Sequence, residues 1–224
     1  MNLRTLTNAA AAAVIVCAVA PRGAGAQSGT TYPPAWEAFT KTAATITDYT
    51  ETLTAHEIKG DRTEDRVYHF AFAKPAHARS EIVSGPDKGS VAVWNGGDTV
   101  RGHKGGFASF IKLTISVHDP RTTDLRGKTI DAAFYPTMIA DYESGGKLTE
   151  EPGTAVDGTP TDDVVLTPSD PAKLRNLTKD VLVFSRATHL PIEHMGYEGT
   201  QLVEDEHFTD IKVNPSLPES TFQM

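Results

Sequence analysis

Asp65-Arg66-Val67-Tyr68-His69-Phe70-Ala71-Phe72-Ala73-Lys74-Pro75 sets Tyr68, Phe70 and Phe72 at every second position, the period of one face of a β-strand. Pro75 ends the run, because proline brings no amide hydrogen to a sheet ladder. Just upstream, Gly60-Asp61 reads as a hairpin turn, and from Asp48 onward Tyr49, Leu53 and Ala55 alternate with threonines as the partner strand. Before Asp48 the period changes. Trp36, Phe39, Ala43 and Ile46 recur at three- and four-residue steps, a single apolar stripe on a short helix, with Pro34 tolerated in its first turn.

Downstream the same two-residue period continues. Short strands are expected at 78–83, 90–94 and 99–103, closed in turn by Ser84-Gly85-Pro86-Asp87, Asn95-Gly96-Gly97-Asp98 and Lys104-Gly105-Gly106. Ile111, Leu113, Ile115 and Val117 make another strict alternation up to Asp119-Pro120. Residues 129–144 interrupt the pattern with Phe134, Tyr135, Met138, Ile139 and Tyr142 at helical spacing, which predicts a helix kinked at Pro136. A Gly/Thr/Pro/Asp stretch at 152–161 is a loop or hairpin tip, and strands at 163–167, 178–186, 190–197 and 201–213 form a second meander. The fold class is therefore mainly β (α+β), a curved antiparallel sheet or incomplete barrel faced by two short helices.

The chain starts with Arg4, an apolar run over 9–20 and the small-residue stretch Ala24-Gly25-Ala26. This predicts a secretory signal over 1–26, cleaved before Gln27, with 27–224 as one exported domain. Cys17, the one cysteine, lies inside that run after Val14-Ile15-Val16, which lacks the Leu-small-small sequence of a lipid-anchored signal. Cleavage therefore removes disulfides, thiol catalysis and lipid anchoring together. The formal charge of −8 makes an acidic surface, expected to be repelled by nucleic acid and by anionic lipid headgroups.

Chemical motifs are sparse. The eight histidines show no H-E-x-x-H or H-x-H spacing; His189 and His194 bracket Leu190-Pro191-Ile192-Glu193 and fall on opposite faces of a strand, so they are expected on strand surfaces with no metal and no cofactor. There is no G-x-S-x-G elbow, and no enzymatic activity is expected. Arg101-Gly102-His103-Lys104-Gly105-Gly106 reads as a basic hairpin tip, and Asp162-Asp163 and Glu204-Asp205-Glu206 as solvated edges. The aromatics are more informative. Trp36 and Phe39 on the first helix, Phe134, Tyr135, Met138 and Tyr142 on the second, with Tyr68, Phe70, Phe72 and Trp94 from the strands, would line an apolar pocket beneath a helical lid or, equally, fill a core.

Phe70-Ala71-Phe72-Ala73-Lys74-Pro75, Arg79-Ser80-Glu81 and Val91-Ala92-Val93-Trp94-Asn95-Gly96 together resemble the early signature of LolA-like proteins, periplasmic carriers of outer-membrane lipoproteins. Leu190-Pro191-Ile192-Glu193, Tyr197-Glu198-Gly199 and Phe208-Thr209-Asp210-Ile211-Lys212-Val213-Asn214-Pro215 extend the resemblance to the C-terminal half. Tyr49-Thr50-Glu51, His56-Glu57 and His118-Asp119-Pro120 are more similar to a less characterised branch than to the carrier itself. The resemblance implies an incomplete β-barrel whose hollow accepts acyl chains, with Lys74 at the position of the basic residue that holds the lid closed. It further implies a periplasmic carrier of a lipid acyl chain or lipoprotein, or alternatively an envelope stress sensor or assembly factor that takes a protein partner through the same fold.

Overall fold

A computed structural model of the chain describes residues 31–224, and the expected export signal lies outside them. Helix α1 (Pro34–Thr45) buries Trp36, Phe39 and Ala43, with Ile46 buried just past its end. Strands β1 (Asp48–Lys59) and β2 (Arg62–Ala73) then pair along their whole length, from Asp48 opposite Ala73 to Lys59 opposite Arg62. The two-residue turn between them needs a left-handed backbone, which Gly60 supplies at φ +63. The first meander continues through β3 (His77–Ser84), β4 (Val91–Trp94), β5 (Thr99–His103) and β6 (Leu113–Ser116).

An irregular segment leads to helix α2 (Tyr135–Gly145) and the second meander: β7 (Gly146–Pro152), β8 (Thr161–Pro168), β9 (Lys179–Ser185), β10 (Pro191–Glu198) and β11 (Gln201–Val213). The last strand returns to the first. Because β11 pairs with β1, both meanders fuse into one antiparallel sheet in the order β6-β5-β4-β3-β2-β1-β11-β10-β9-β8-β7. The sheet does not close, and helices cover one of its faces, the layout that both the residue patterns and the LolA-like resemblance imply.

Three local expectations are corrected. Pro136 opens α2 instead of kinking it, since in the first helical turn its missing amide has no partner to lose; residues 129–134 are not helical, with turns at 130–133. Strand β7 joins the sheet without a signal in the residue pattern, because Lys147-Leu148-Thr149-Glu150-Glu151 offers one apolar side chain, the composition of an edge strand. The alternation at 111–117 yields only the four-residue edge strand β6, with Val117 buried but Ile111 and Leu113 exposed, because among the described residues no second layer covers that edge.

On the covered face the aromatic rings make an unbroken series. Tyr68, Phe70, Phe72, Tyr49, Tyr135, Phe39, Trp36 and Tyr142 follow one another with centroid separations between 4.1 and 5.5 Å. Each such contact contributes about 0.5–1.5 kcal/mol beyond its buried area, so this seam fastens both helices to β1 and β2.

Candidate binding cavity

The covered face changes character along its strands. On β2, Phe72, Phe70 and Tyr68 give way to Arg66, Glu64 and Arg62; on β9, Phe184 and Leu182 give way to Asp180; on β11, Phe208 gives way to Glu206 and Glu204. Register aligns these changes, with Leu53 of β1 between Tyr68 and Phe208, and Glu57 between Glu64 and Glu204. Where the two characters meet lies a cavity of about 450 Å³. That size falls in the range of about 300–1,000 Å³ usual for small-ligand sites. Leu53, Phe70, Ile82, Val100, Met138 and Leu182 form its apolar wall, and Glu57, Arg66, Lys128, Asp180, His194 and Glu206 its charged one.

The charged wall is assembled by the turn at 124–128. Asp124 Oδ1 accepts hydrogen bonds from the amides of Arg126, Gly127 and Lys128 at 2.7–2.9 Å, which tightens the turn and aims both basic side chains inward. Arg126 then donates to Glu204 Oε1 (2.9 Å), to Glu198 Oε1 (2.6 Å) and to the carbonyls of Ile58 and Arg175. Arg175, itself at φ +54, grips both oxygens of Glu204 at 3.0 and 3.2 Å. Lys128 bonds Glu206 and reaches Glu204 Oε2 at 3.3 Å. His194 completes the group, with Nε2 2.7 Å from Asp180 Oδ1 and Nδ1 2.9 Å from Glu206 Oε2.

Burial opposes the charged forms of Glu204, Glu206 and His194, and the neighbours decide the outcome. Burial works against ionisation of Glu204, but Lys128, Arg175 and His194 hold its carboxyl well below the usual range. Burial likewise opposes Glu206, which Lys128 and His194 bring down to about 2. For His194 burial disfavours the cation, yet Asp180 and Glu206 raise it to about 10, so both ring nitrogens donate. Glu57 behaves differently. Burial pushes it up to about 9 against the pull of Lys128, and while its Oε2 accepts from the Leu125 amide, its Oε1 has no partner among the described residues.

Two further expectations are corrected here. Glu204 and Glu206 are buried rather than a solvated edge, because strand alternation turns them inward and only Asp205 outward. His194 is buried in its carboxylate pairs rather than lying on a strand surface, and His189 lies outside the strand, in the turn before β10 at φ +58. The structure also gathers Glu57, Asp124 and Glu206, among which the Lys128 ammonium sits, and on the opposite face Glu193, Asp205 and His207. No spacing in the sequence signals either group, since each spans separate elements.

Of the apolar side chains singled out from sequence, Tyr68, Phe70, Met138 and Tyr142 line the cavity. Trp36, Phe39, Phe72, Phe134 and Tyr135 are closed into the core beside it. Trp94 is half-buried on β4, its Nε1 donating to the Gly97 carbonyl at 2.8 Å. Lys74 Nζ donates to the carbonyls of Ala43 and Ala44 at 2.9 and 3.1 Å, tying the end of β2 to the C-terminus of α1. The cavity-lining charges Lys128, Arg175 and His194 carry no signal of their role in the sequence, because each meets its partners only across the assembled sheet.

No family model and no curated protein matches the chain. Solved structures do. An uncharacterised conserved protein of Thermus thermophilus superposes with a TM-score of 0.55 at 11% identity, over 85% of this chain and 91% of that one. The fold is shared; the sequence is not. The lipoprotein LppX of Mycobacterium tuberculosis gives 0.48 at 10% identity over 82% and 95% of the two chains. A putative outer membrane lipoprotein-sorting protein domain of Vibrio parahaemolyticus gives 0.46 at 13% over 84% and 95%. What the Thermus thermophilus structure shares with this chain is the fold alone. Among the described residues no helix is long and apolar enough to cross a membrane.

Proposed function

We propose that the protein is an exported, non-enzymatic carrier that shelters the acyl chain of a lipid or lipoprotein on the covered face of its sheet, in the periplasm. The observation that carries this reading is the cavity of about 450 Å³, apolar at one end and charged at the other. Such a division suits an amphipathic ligand, with the chain against Leu53, Phe70 and Leu182 and the polar head towards Arg66 and Lys128. Each methylene withdrawn from water contributes about 0.8 kcal/mol, so a partly inserted chain suffices for micromolar affinity. Glu204, Glu206 and His194 are engaged by opposite charges, which supports a structural and binding role over proton transfer.

Solvent extraction of the purified protein followed by mass spectrometry is expected to recover lipid, and a fluorescent fatty acid is expected to bind and be displaced by unlabelled fatty acid. Ala92→Phe, which fills the cavity from β4, should abolish that binding while leaving the unfolding transition in place. Absence of lipid together with an unchanged fluorescence signal would overturn the reading. Recovery of one stoichiometric envelope protein without lipid would favour the sensor or assembly role in its place.

A further inference from the structure

The connection between β5 and β6 displays apolar side chains that the fold does not use. Phe107 and Phe110 are 96% and 72% exposed and meet edge to face with centroids 6.1 Å apart, and Ile111 and Leu113 follow at 48% and 42%. A contiguous patch of this kind on a protein surface marks a contact surface. Its electrostatics run opposite to those of the chain. Residues 99–118 contain Arg101, Lys104 and Lys112 and neither Asp nor Glu, although the whole chain carries −8. The patch also adjoins the cavity, whose wall includes His103 and Lys104 on one side of the connection and Leu113 and Ile115 on the other.

We propose that the β5–β6 connection docks the protein on an anionic lipid bilayer, with Phe107 and Phe110 entering the boundary between headgroups and acyl chains and Arg101, Lys104 and Lys112 resting against the headgroups. Aromatic rings are favoured at that depth, and basic side chains beside them gain from the negative surface potential. Acid farther than a Debye length of about 8 Å is screened at physiological salt; the carboxylate close by, Asp87, is itself held by Lys104 at 3.4 Å and Arg66 at 3.5 Å. A bilayer fits better than a protein partner. Four side chains on a loop and a short edge strand fall well short of the roughly 800 Å² per partner of a stable protein interface. Docked this way, the rim of the cavity lies against the leaflet, whatever the cavity holds.

The test is co-sedimentation of the full chain with vesicles of phosphatidylcholine alone or mixed equally with phosphatidylglycerol. Binding is expected to the mixed vesicles and to weaken with added salt. Phe107→Ser with Phe110→Ser should weaken it at least about tenfold, whereas Lys104→Gln with Lys112→Gln should lower binding to the mixed vesicles only. All four positions are exposed, so these variants are expected to keep the parent unfolding transition. As a readout independent of truncation, the indole introduced by Phe107→Trp should be quenched by vesicles carrying brominated acyl chains. The proposal is overturned if the parent chain stays in the supernatant with mixed vesicles or if the Phe-to-Ser pair binds them like the parent. It is equally overturned if the introduced indole is not quenched, or if the Phe-to-Ser pair abolishes only a dimer of the chain.

Discussion

Glu51 offers the sharpest test of the interior. It sits on the covered face of β1 opposite Phe70, it is 3% exposed, and neither carboxyl oxygen has a hydrogen-bond partner among the described residues. Burial, reinforced by Glu206, pushes it up to about 8. An unfolded chain holds glutamate near about 4.3. At about pH 7 folding must therefore carry a proton into the interior, which costs about 3–4 kcal/mol at roughly 1.4 kcal/mol per pH unit. A raised folded-state value means that this cost is absent below the unfolded value and grows as the pH climbs towards the folded one. Glu51→Met keeps the volume and removes the titration. Urea unfolding, followed through Trp36 and Trp94, should find the two proteins alike within about 1 kcal/mol near pH 4, with the variant ahead by about 3–4 kcal/mol near pH 7. Other titrating groups are common to both and cancel in the difference. A gap that does not change with pH, or a parent that is the more stable near pH 7, would refute the reasoning.

Other outcomes follow from the same structure. Arg126→Met strips a cation from Glu204 and bonds from the Ile58 and Arg175 carbonyls, and should destabilise by about 3–5 kcal/mol in chemical denaturation; a loss under about 1 kcal/mol would show that water replaces the network. His194, raised to about 10, contributes stability that is full below its unfolded value of about 6.5 and is lost as the pH rises through about 10. His194→Gln should thus be less stable than the parent near neutrality and flatten the alkaline decline in melting temperature. Lys74→Met frees two carbonyls at the end of α1 and should cost about 1 kcal/mol, read most directly as faster amide exchange in that helix.

Much of the sheet is legible in the sequence because alternation is a local signal. Tyr68, Phe70 and Phe72 announce a strand face, and Trp36, Phe39 and Ala43 a helix stripe, whatever the rest of the chain does. The charged wall is illegible for the same reason. Glu204-Asp205-Glu206 looks solvated in isolation, and its neutralising partners Arg126, Lys128 and Arg175 come from a turn and a loop that only the assembled sheet brings near. The aromatics stand between these cases: the helix and strand periods locate them, but period alone does not separate Phe70 on the cavity wall from Phe72 in the core. At 111–117 the period is present and misleading, because alternation describes the chain and burial requires a second layer.

The pairing of β1 with β11 has a further consequence for how the chain reaches this state. Tyr49 meets Val213 and Leu53 meets Phe208, so the centre of the sheet is made by segments from opposite ends of the described chain. Contacts that distant in sequence form slowly, since a long loop must close before they contribute. Until β11 is in place, each meander presents an unpaired strand edge of the kind that invites aggregation. A proteolytic cut at the turn around Gly199 would free β11 from its covalent link to β10, and loss of that one strand would open an unpaired edge on both β1 and β10 rather than trim a domain.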